Sequence, residues 1–285
     1  MRKWLLAIGL GLLMCLPVLA QDAPAGSQDT PEITQEGALP GMPPVVLPAP
    51  PLRAKLLPAR KPAPTLRLKL ISRKRNEIVD DAEWFTRNNL EVPSAMPESI
   101  AARFDVGDGL VLQEAHLQNE ILFGMFASEA SPAYVLIAYK GPFAQYAFDF
   151  QNFRVPERQV SVRQPLVFAQ QSGDILYVSH AGNGYAKDWN GNTGYITAID
   201  LKSKSLLWRS QPLVANANNF LILDQVIVTG YGFTAEPDYL YLLDKKTGQL
   251  LQRLSVPSAP NYILRKGNRV YVRCYDTDLV YAIQP

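Results

Sequence analysis

The chain has 285 residues, 47% of them hydrophobic and 19% charged, enough apolar material for a sizeable core and too much for a wholly disordered protein. Its net charge of +2 balances to zero once Arg2 and Lys3 of an N-terminal targeting segment are set aside, which speaks against a globally basic nucleic-acid binder. No motif in it dictates one reaction or one ligand.

Residues 1–20, MRKWLLAIGLGLLMCLPVLA, place two cations before an apolar stretch from Trp4 to Leu16 and end on Val18-Leu19-Ala20. That is the layout of a secretory signal peptide, expected to be cleaved after Ala20. The stretch is shorter than the roughly 20 residues of a spanning helix, and Pro17 interrupts it. Met14 stands before Cys15 where lipoprotein processing requires a small residue, so lipidation is not expected. The expected location is periplasmic or secreted. Only Cys274 then remains, so the mature domain forms no internal disulfide and depends on packing.

Residues 21–64 hold 11 prolines among 44 residues, with too little aromatic or β-branched material to offset their ordering entropy. They are expected to form a disordered, extended linker. Charge is segregated along this tail. Residues 53–75 contain nine bases and no acid: Arg53, Lys55, Arg60, Lys61, Arg67, Lys69, Arg73, Lys74 and Arg75. Such a block attracts an anionic polysaccharide, a membrane surface or an acidic protein face, or serves as a solvated linker; no nucleic-acid partner is expected, because no base-stacking aromatics accompany it.

Residues 65–108 come next. Thr65-Leu-Arg-Leu-Lys-Leu-Ile71 alternates apolar and basic residues as a half-exposed strand does, and is the candidate to close a ring by pairing with the C-terminal part. Residues 77–104 read as helical or mixed, or as a further repeat unit. Asp80-Asp81 are explained by the start of a helix, where acids are favoured.

From 109 to 285 the chain repeats. Leu110–Gln118, Glu120–Ser128, Ala133–Lys140 and Gln145–Phe153 are strand-like, with Tyr146-Ala-Phe-Asp149 standing where the Ile-Asp motif of Ile199-Asp200 would stand. Asp174-Ile-Leu-Tyr-Val-Ser179, Asp224-Gln-Val-Ile-Val-Thr229 and Asn268-Arg-Val-Tyr-Val-Arg273 share a polar start and alternating apolar residues. On this alignment Leu176, Val226 and Val270 correspond, as do Val178, Val228 and Val272. Each is followed by a second strand, Tyr195–Asp200, Tyr239–Asp244 and Leu279–Ile283, rich in strand-favouring residues. The first two lead through Asp-initiated turns to third strands ending near Trp208 and Gln252. About four short strands in 40 to 50 residues is the size of a propeller blade.

Ile196-Thr-Ala-Ile-Asp-Leu-Lys-Ser-Lys-Ser-Leu-Leu-Trp208 resembles the repeat of PQQ-type β-propellers, roughly Ala-Leu-Asp-x-x-Thr-Gly-x-x-x-Trp. Leu240-Tyr-Leu-Leu-Asp-Lys-Lys-Thr-Gly-Gln-Leu-Leu-Gln252 keeps the Thr-Gly and puts Gln252 in place of the tryptophan. The resemblance implies an all-β, propeller-like (WD40/YVTN-like) fold of four-stranded blades, four or five in number, after a disordered Pro-rich region. It implies no particular ligand, since many members of that superfamily bind no quinone.

The loops between the second and third strands differ in length: His180–Gly194, Gly230–Asp238 and Tyr275–Asp278. They bring Tyr185, Trp189, Tyr231, Phe233 and Tyr275 to one rim, suited to a protein or glycan partner, or to packing as a local lid. Asp188, Asn190 and Asn192 alternate as in the start of a calcium loop, but Thr193 replaces the sixth-position glycine and Ile199 stands where the acidic twelfth ligand belongs. An Asn/Gly-rich turn needs no metal, and no cofactor is expected apart from this calcium candidate. His116 and His180 lack partners at ligand spacing, and no nucleophile elbow, Walker loop or dinucleotide fingerprint occurs. These features point to an exported scaffold or binding module engaging a protein, complex or glycan of the cell envelope. The alternative is a reduced PQQ-type dehydrogenase or other enzyme using the rim loops, though quinoprotein dehydrogenases have more blades, an acidic calcium site and often a vicinal cysteine pair.

Overall fold

The computed structural model describes residues 39–50, 66–76, 80–91, 93–95, 104–105, 109–128, 134–156, 161–182 and 184–285. Residues 1–20, and with them the export reading, lie outside the described residues.

Four antiparallel sheets of hairpin-connected strands dominate the structure. Blade one contains Leu110–Gln118, Ile121–Ser128, Tyr134–Lys140 and Phe143–Asp149. Blade two contains Leu166–Ser172, Ile175–His180, Tyr195–Asp200 and Ser205–Arg209. Blade three contains Leu221–Leu223, Val226–Tyr231, Tyr239–Asp244 and Leu250–Ser255. Blade four contains Pro260–Lys266, Arg269–Cys274 and Thr277–Gln284, and its outermost place is taken by Arg67–Arg75, paired antiparallel with Thr277–Gln284. Segments more than 190 residues apart in sequence thus share one sheet.

Alternation along the strands sends successive side chains to opposite faces, and each interior face packs on the next blade. Phe123, Met125 and Leu136 of blade one meet Leu176, Val178 and Ile199 of blade two. Tyr177, Ile196 and Ala198 meet Ile227, Tyr241 and Leu243 of blade three. Val226, Val228, Leu240 and Leu242 meet Ile263, Val270, Val272 and Leu279 of blade four.

This packing corrects the repeat alignment. The tight turns place Ser172 opposite Ile175, Leu223 opposite Val226 and Lys266 opposite Arg269. Their first turn residues, Gly173, Asp224 and Gly267, all have positive φ (61°, 50° and 57°). Asp224 therefore matches Gly173 and not Asp174. The structural equivalents of Leu176 and Val270 are Ile227 and not Val226, and Thr229 replaces Val228 as the counterpart of Val178. A slip of one residue exchanges the faces of a strand: Leu176, Ile227 and Val270 face the preceding blade, whereas Val226 faces the following one. In blade one, Tyr146–Asp149 does not stand where Ile199-Asp200 stands: it lies on the outermost strand, and the strand equivalent to Tyr195–Asp200 finishes at Lys140 before the Gly141 turn.

Residues 39–50 belong to the fold and depart from the free linker expected over 21–64. Leu39–Pro40 pairs with Phe104–Asp105, and Val45–Val46 adds in parallel to the outer edge of blade one at Phe148–Asp149. Leu47 is fully buried, donating its N–H to Asp149 O, while Asn152 Nδ2 donates to Leu47 O. Proline is tolerated at such an edge, where one side of the strand needs no ladder partner.

The faces of blades one and four that meet no neighbouring blade are covered separately. Leu39, Met42 and Phe104 cover Leu122, Phe126 and Tyr139. Helix α1, Asp81–Asn88, lays Trp84 and Phe85 on Tyr262, Leu264 and Tyr271. Asp80 caps the helix by accepting the Ala82 N–H at 3.1 Å, and Asn89 ends it in the left-handed region. The described part of residues 80–105 therefore holds a helix and two-residue strands rather than a fifth blade.

Side chains at matching places lock neighbouring blades together. Asp244 Oδ1 accepts from Lys246 N, Thr247 N and Thr247 Oγ1, building the Asp-Lys-Lys-Thr-Gly turn; Asp200 does the same with Ser203. The turn ends at Gly248, φ 70°, against which the Trp208 ring of blade two lies so closely that a Cβ has no room. Gln252 pairs with Leu242 as Trp208 pairs with Ala198. Blade four supplies no such glycine turn beside it, and Gln252 instead reads the backbone of the closing strand: Leu68 N donates to Gln252 Oε1 at 3.1 Å and Gln252 Nε2 donates to Leu68 O at 3.4 Å. Asn219 reads the backbone of Ile263 in the same two-sided way, at 2.7 and 2.9 Å.

Candidate functional site

A cavity of about 760 Å³ lies among the blades. Gln113–His116 of blade one, Leu166–Phe168 of blade two, Asn216 and Asn218 ahead of blade three, and Tyr262 of blade four line it. Ala181, Gly182 and Phe233, from the loops between second and third strands, join the lining.

Two of these loops are tied to one another. Glu236 accepts the Ala186 N–H on Oε1 at 2.6 Å and the Tyr231 hydroxyl on Oε2 at 3.0 Å, so one carboxylate holds both the 181–194 loop and the 232–238 loop. Asn216 adds a second strut, exchanging hydrogen bonds with both Gly232 N and Gly232 O. The result places Tyr185 edge-on to Phe233 at 4.8 Å, with Lys187 Nζ 5.5 Å from the Tyr185 ring. A rim fixed before contact loses less ordering entropy on binding.

The five rim aromatics do different things. Tyr185 and Phe233 are half-buried against each other, and Tyr275 is 69% exposed on the short loop of blade four. Trp189 is only 9% exposed and lies flat on the Gly182 backbone, while Tyr231 is 3% exposed beneath Glu236. The last two build the loops rather than offering surface. Burial, followed by the Glu236 contact, raises the Tyr231 phenol above its ordinary range.

Asp188, Asn190 and Asn192 sit on the 3₁₀ turn Ala186–Trp189 and its exit. Asn190 takes the left-handed conformation that closes this turn, and Asn192 Nδ2 donates to Asn190 O at 3.2 Å. No group of three or more His, Cys, Asp or Glu residues converges among the described residues. Of the basic residues, Arg53, Lys55, Arg60 and Lys61 lie outside the described residues. Arg73, Lys74 and Arg75 are exposed on the closing strand of blade four, so they belong to the domain edge.

Sequence reasoning missed Glu236 and Asn216, for which no local pattern exists; only the meeting of two loops gives them a role. It also left both histidines as ordinary polar residues, and both are buried. His116 stacks on Phe168 at 4.2 Å with Nε2 2.5 Å from Ala169 O, and burial drives its pKa down to about 4. It is a neutral strut between blades one and two.

The resemblance to PQQ-type repeats raises the question of that quinone. Its three carboxylates call for cations, yet the described cavity lining contains no Lys or Arg, and Glu114 is its one carboxylate. The residues present do not fit the group.

No protein-family model matches the sequence, and no curated protein matches it. Solved structures similar to it include BamB from Moraxella catarrhalis, 11% identical, covering 61% of this chain and 71% of that one with a TM-score of 0.30. A europium-containing methanol dehydrogenase is 10% identical, with 51% and 24% covered and a TM-score of 0.33. Dihydro-heme d1 dehydrogenase NirN in complex with DHE is 14% identical, with 60% and 34% covered and a TM-score of 0.39. No helix among the described residues is long and apolar enough to cross a membrane. The assignment of architecture stands on the four sheets, their Asp-initiated turns and the tryptophan lodged on the Thr-Gly glycine: this is an all-β fold of four-stranded, propeller-like blades.

Proposed function

We propose that the chain is an exported binding module whose rim loops engage a protein or glycan partner in the cell envelope. The observation that carries this reading is the Glu236 clamp, which ties the loops carrying Tyr185 and Phe233 beside a cavity that Phe233 helps to line. Large rigid side chains on a fixed rim give contact area at low entropic cost. Export rests on the signal-peptide pattern of residues 1–20. Arg73, Lys74 and Arg75 on the exposed edge of blade four supply a secondary contact for an anionic polysaccharide or membrane surface, and their charge also discourages edge-to-edge strand pairing.

Site-specific photo-crosslinking tests the rim. A crosslinker at Phe233 or Tyr275 is expected to yield a discrete adduct in intact cells, and one at Lys202 or Asn268, on the opposite hairpin turns, is not. Equal labelling from both ends, or none from the rim, sinks the proposal. Deleting residues 2–20 is expected to leave the chain in the cytoplasm on fractionation and to abolish the adduct.

A further inference from the structure

The top of the blade-two face turned toward blade one is polar. Below it the face is apolar, formed by Leu176, Val178, Ile199 and Leu206. At the top stand His180, Tyr195, Thr197 and Arg209. The ladder places His180 opposite Tyr195 and Thr197 opposite Arg209, so all four side chains leave the same face. None is more than 1% exposed. Phe150 and Phe153 of the connector from blade one close over them, each 5.2 Å from the His180 ring.

The layer is rich in donors without recipients. Arg209 Nη2 donates to Gln164 Oε1 at 3.0 Å, and its guanidinium lies 3.5 Å from the Tyr195 ring centroid. Its Nε and Nη1 have no partner, and neither do both His180 ring nitrogens, Tyr195 Oη and Thr197 Oγ1. No carboxylate among the described residues pairs with the guanidinium. Burial, aided by Arg209, holds His180 well below its ordinary pKa, so the imidazole is neutral and supplies one N–H.

A buried cation costs several kcal/mol unless a negative charge offsets it. The π-face of Tyr195 contributes about 2 kcal/mol in a dry setting. It also leaves the unpartnered donors unanswered. A water could satisfy some of these donors but cannot neutralise the charge. An anion with several oxygens does both, because guanidinium, phenol, hydroxyl and imidazole N–H can each donate to a different oxygen.

We propose that this layer is an internal site for a small oxyanion, of carboxylate or phosphate type, held by Arg209 with Tyr195, Thr197 and His180. Blade three carries the related pair, Arg253 4.8 Å from the Tyr239 ring centroid, but there the arginine is exposed and the site is open to water.

The test is thermal unfolding of the mature chain, desalted into a zwitterionic buffer and titrated with acetate, phosphate or chloride. Acetate or phosphate is expected to raise Tm saturably; which of them acts identifies the ligand type. Arg209→Met removes the response and Arg253→Met keeps it. A flat wild-type response to both oxyanions, an equal response to chloride, or loss of the response in R253M overturns the proposal. Should R209M fail to fold, the Arg209 Nε–H resonance of ¹⁵N-arginine-labelled wild type gives the same decision. It shifts saturably with the active anion while that of Arg253 does not, and an unmoved Arg209 signal overturns the site.

Discussion

Arg209 in blade two and Arg253 in blade three sit at the same place in their sheets, opposite Thr197 and Tyr241, and each lies over a tyrosine at the start of the neighbouring strand, Tyr195 or Tyr239. The facing residues differ, and so does the cover. Phe150 and Phe153 seal the first pair, while the second keeps its arginine in solvent. In water the pair is a modest cation–π contact. Sealed, the same atoms become a buried charge whose remaining donors demand an answer. A repeat therefore transmits geometry from blade to blade, and the neighbouring connector decides what that geometry costs.

The sharpest way to break this comparison is to truncate both tyrosines. Tyr195→Ala empties a fully buried place and is expected to lower stability by about 4 kcal/mol, whereas Tyr239→Ala, half-exposed, is expected to cost about 1 kcal/mol. Urea unfolding reads both, and equal losses would mean that the cover makes no difference.

The histidines sharpen it next, since Tyr231 takes in blade three the place of His180 in blade two. His116 has an ordinary pKa of 6.5 when unfolded and about 4 when folded, so the unfolded chain binds the extra proton. Its contribution is whole above pH 6.5, falls as pH drops and levels off below about 4, a total on the order of 3 kcal/mol. His180 acts in the same direction. The H116F/H180F double variant is expected to flatten the urea midpoint between pH 7 and pH 4.5 relative to wild type.

The interblade locks come third. Gly248→Ala forces a side chain into positive φ against Trp208 and is expected to cost about 2 kcal/mol or more, against about 1 kcal/mol for Gly267→Ala, whose turn has open space. Gln252→Ala removes two bonds to Leu68 and is expected to cost about 1 kcal/mol. Its signature is faster amide exchange in Arg67–Arg75 and not in Leu250–Ser255; uniform loss of protection would deny the lock.

Strand patterns and Asp-initiated turns were legible in residues because both are local. Alternation needs only neighbouring positions, and the Asp200 and Asp244 turns are built by hydrogen bonds spanning two or three residues. Face assignment was not legible in blade three. Asp224 could stand first or second in its turn, and only the pairing of Leu223 with Val226 decides. The rim was half legible: the aromatic loops could be recognised, but the sinking of Trp189 and Tyr231 into them depends on Gly182 and Glu236. The proline content of 39–50 pointed to a free linker, and the structure pairs Leu39–Pro40 and Val45–Val46 instead, because an edge strand needs only one partner.

By itself the sequence determined that this chain forms short alternating strands in a repeating unit, with one turn chemistry used twice, because those choices are made by side chains a few residues apart. The alternating strand at Thr65–Ile71 was a candidate for closure, and Arg67–Arg75 does pair with Thr277–Gln284; the tertiary structure alone decided that Gln252 stands in for a tryptophan by gripping backbone and that Arg209 is sealed where Arg253 is free. Each of those depends on which distant segment arrives as a neighbour, and burial, unlike strand propensity, belongs to the neighbour as much as to the residue.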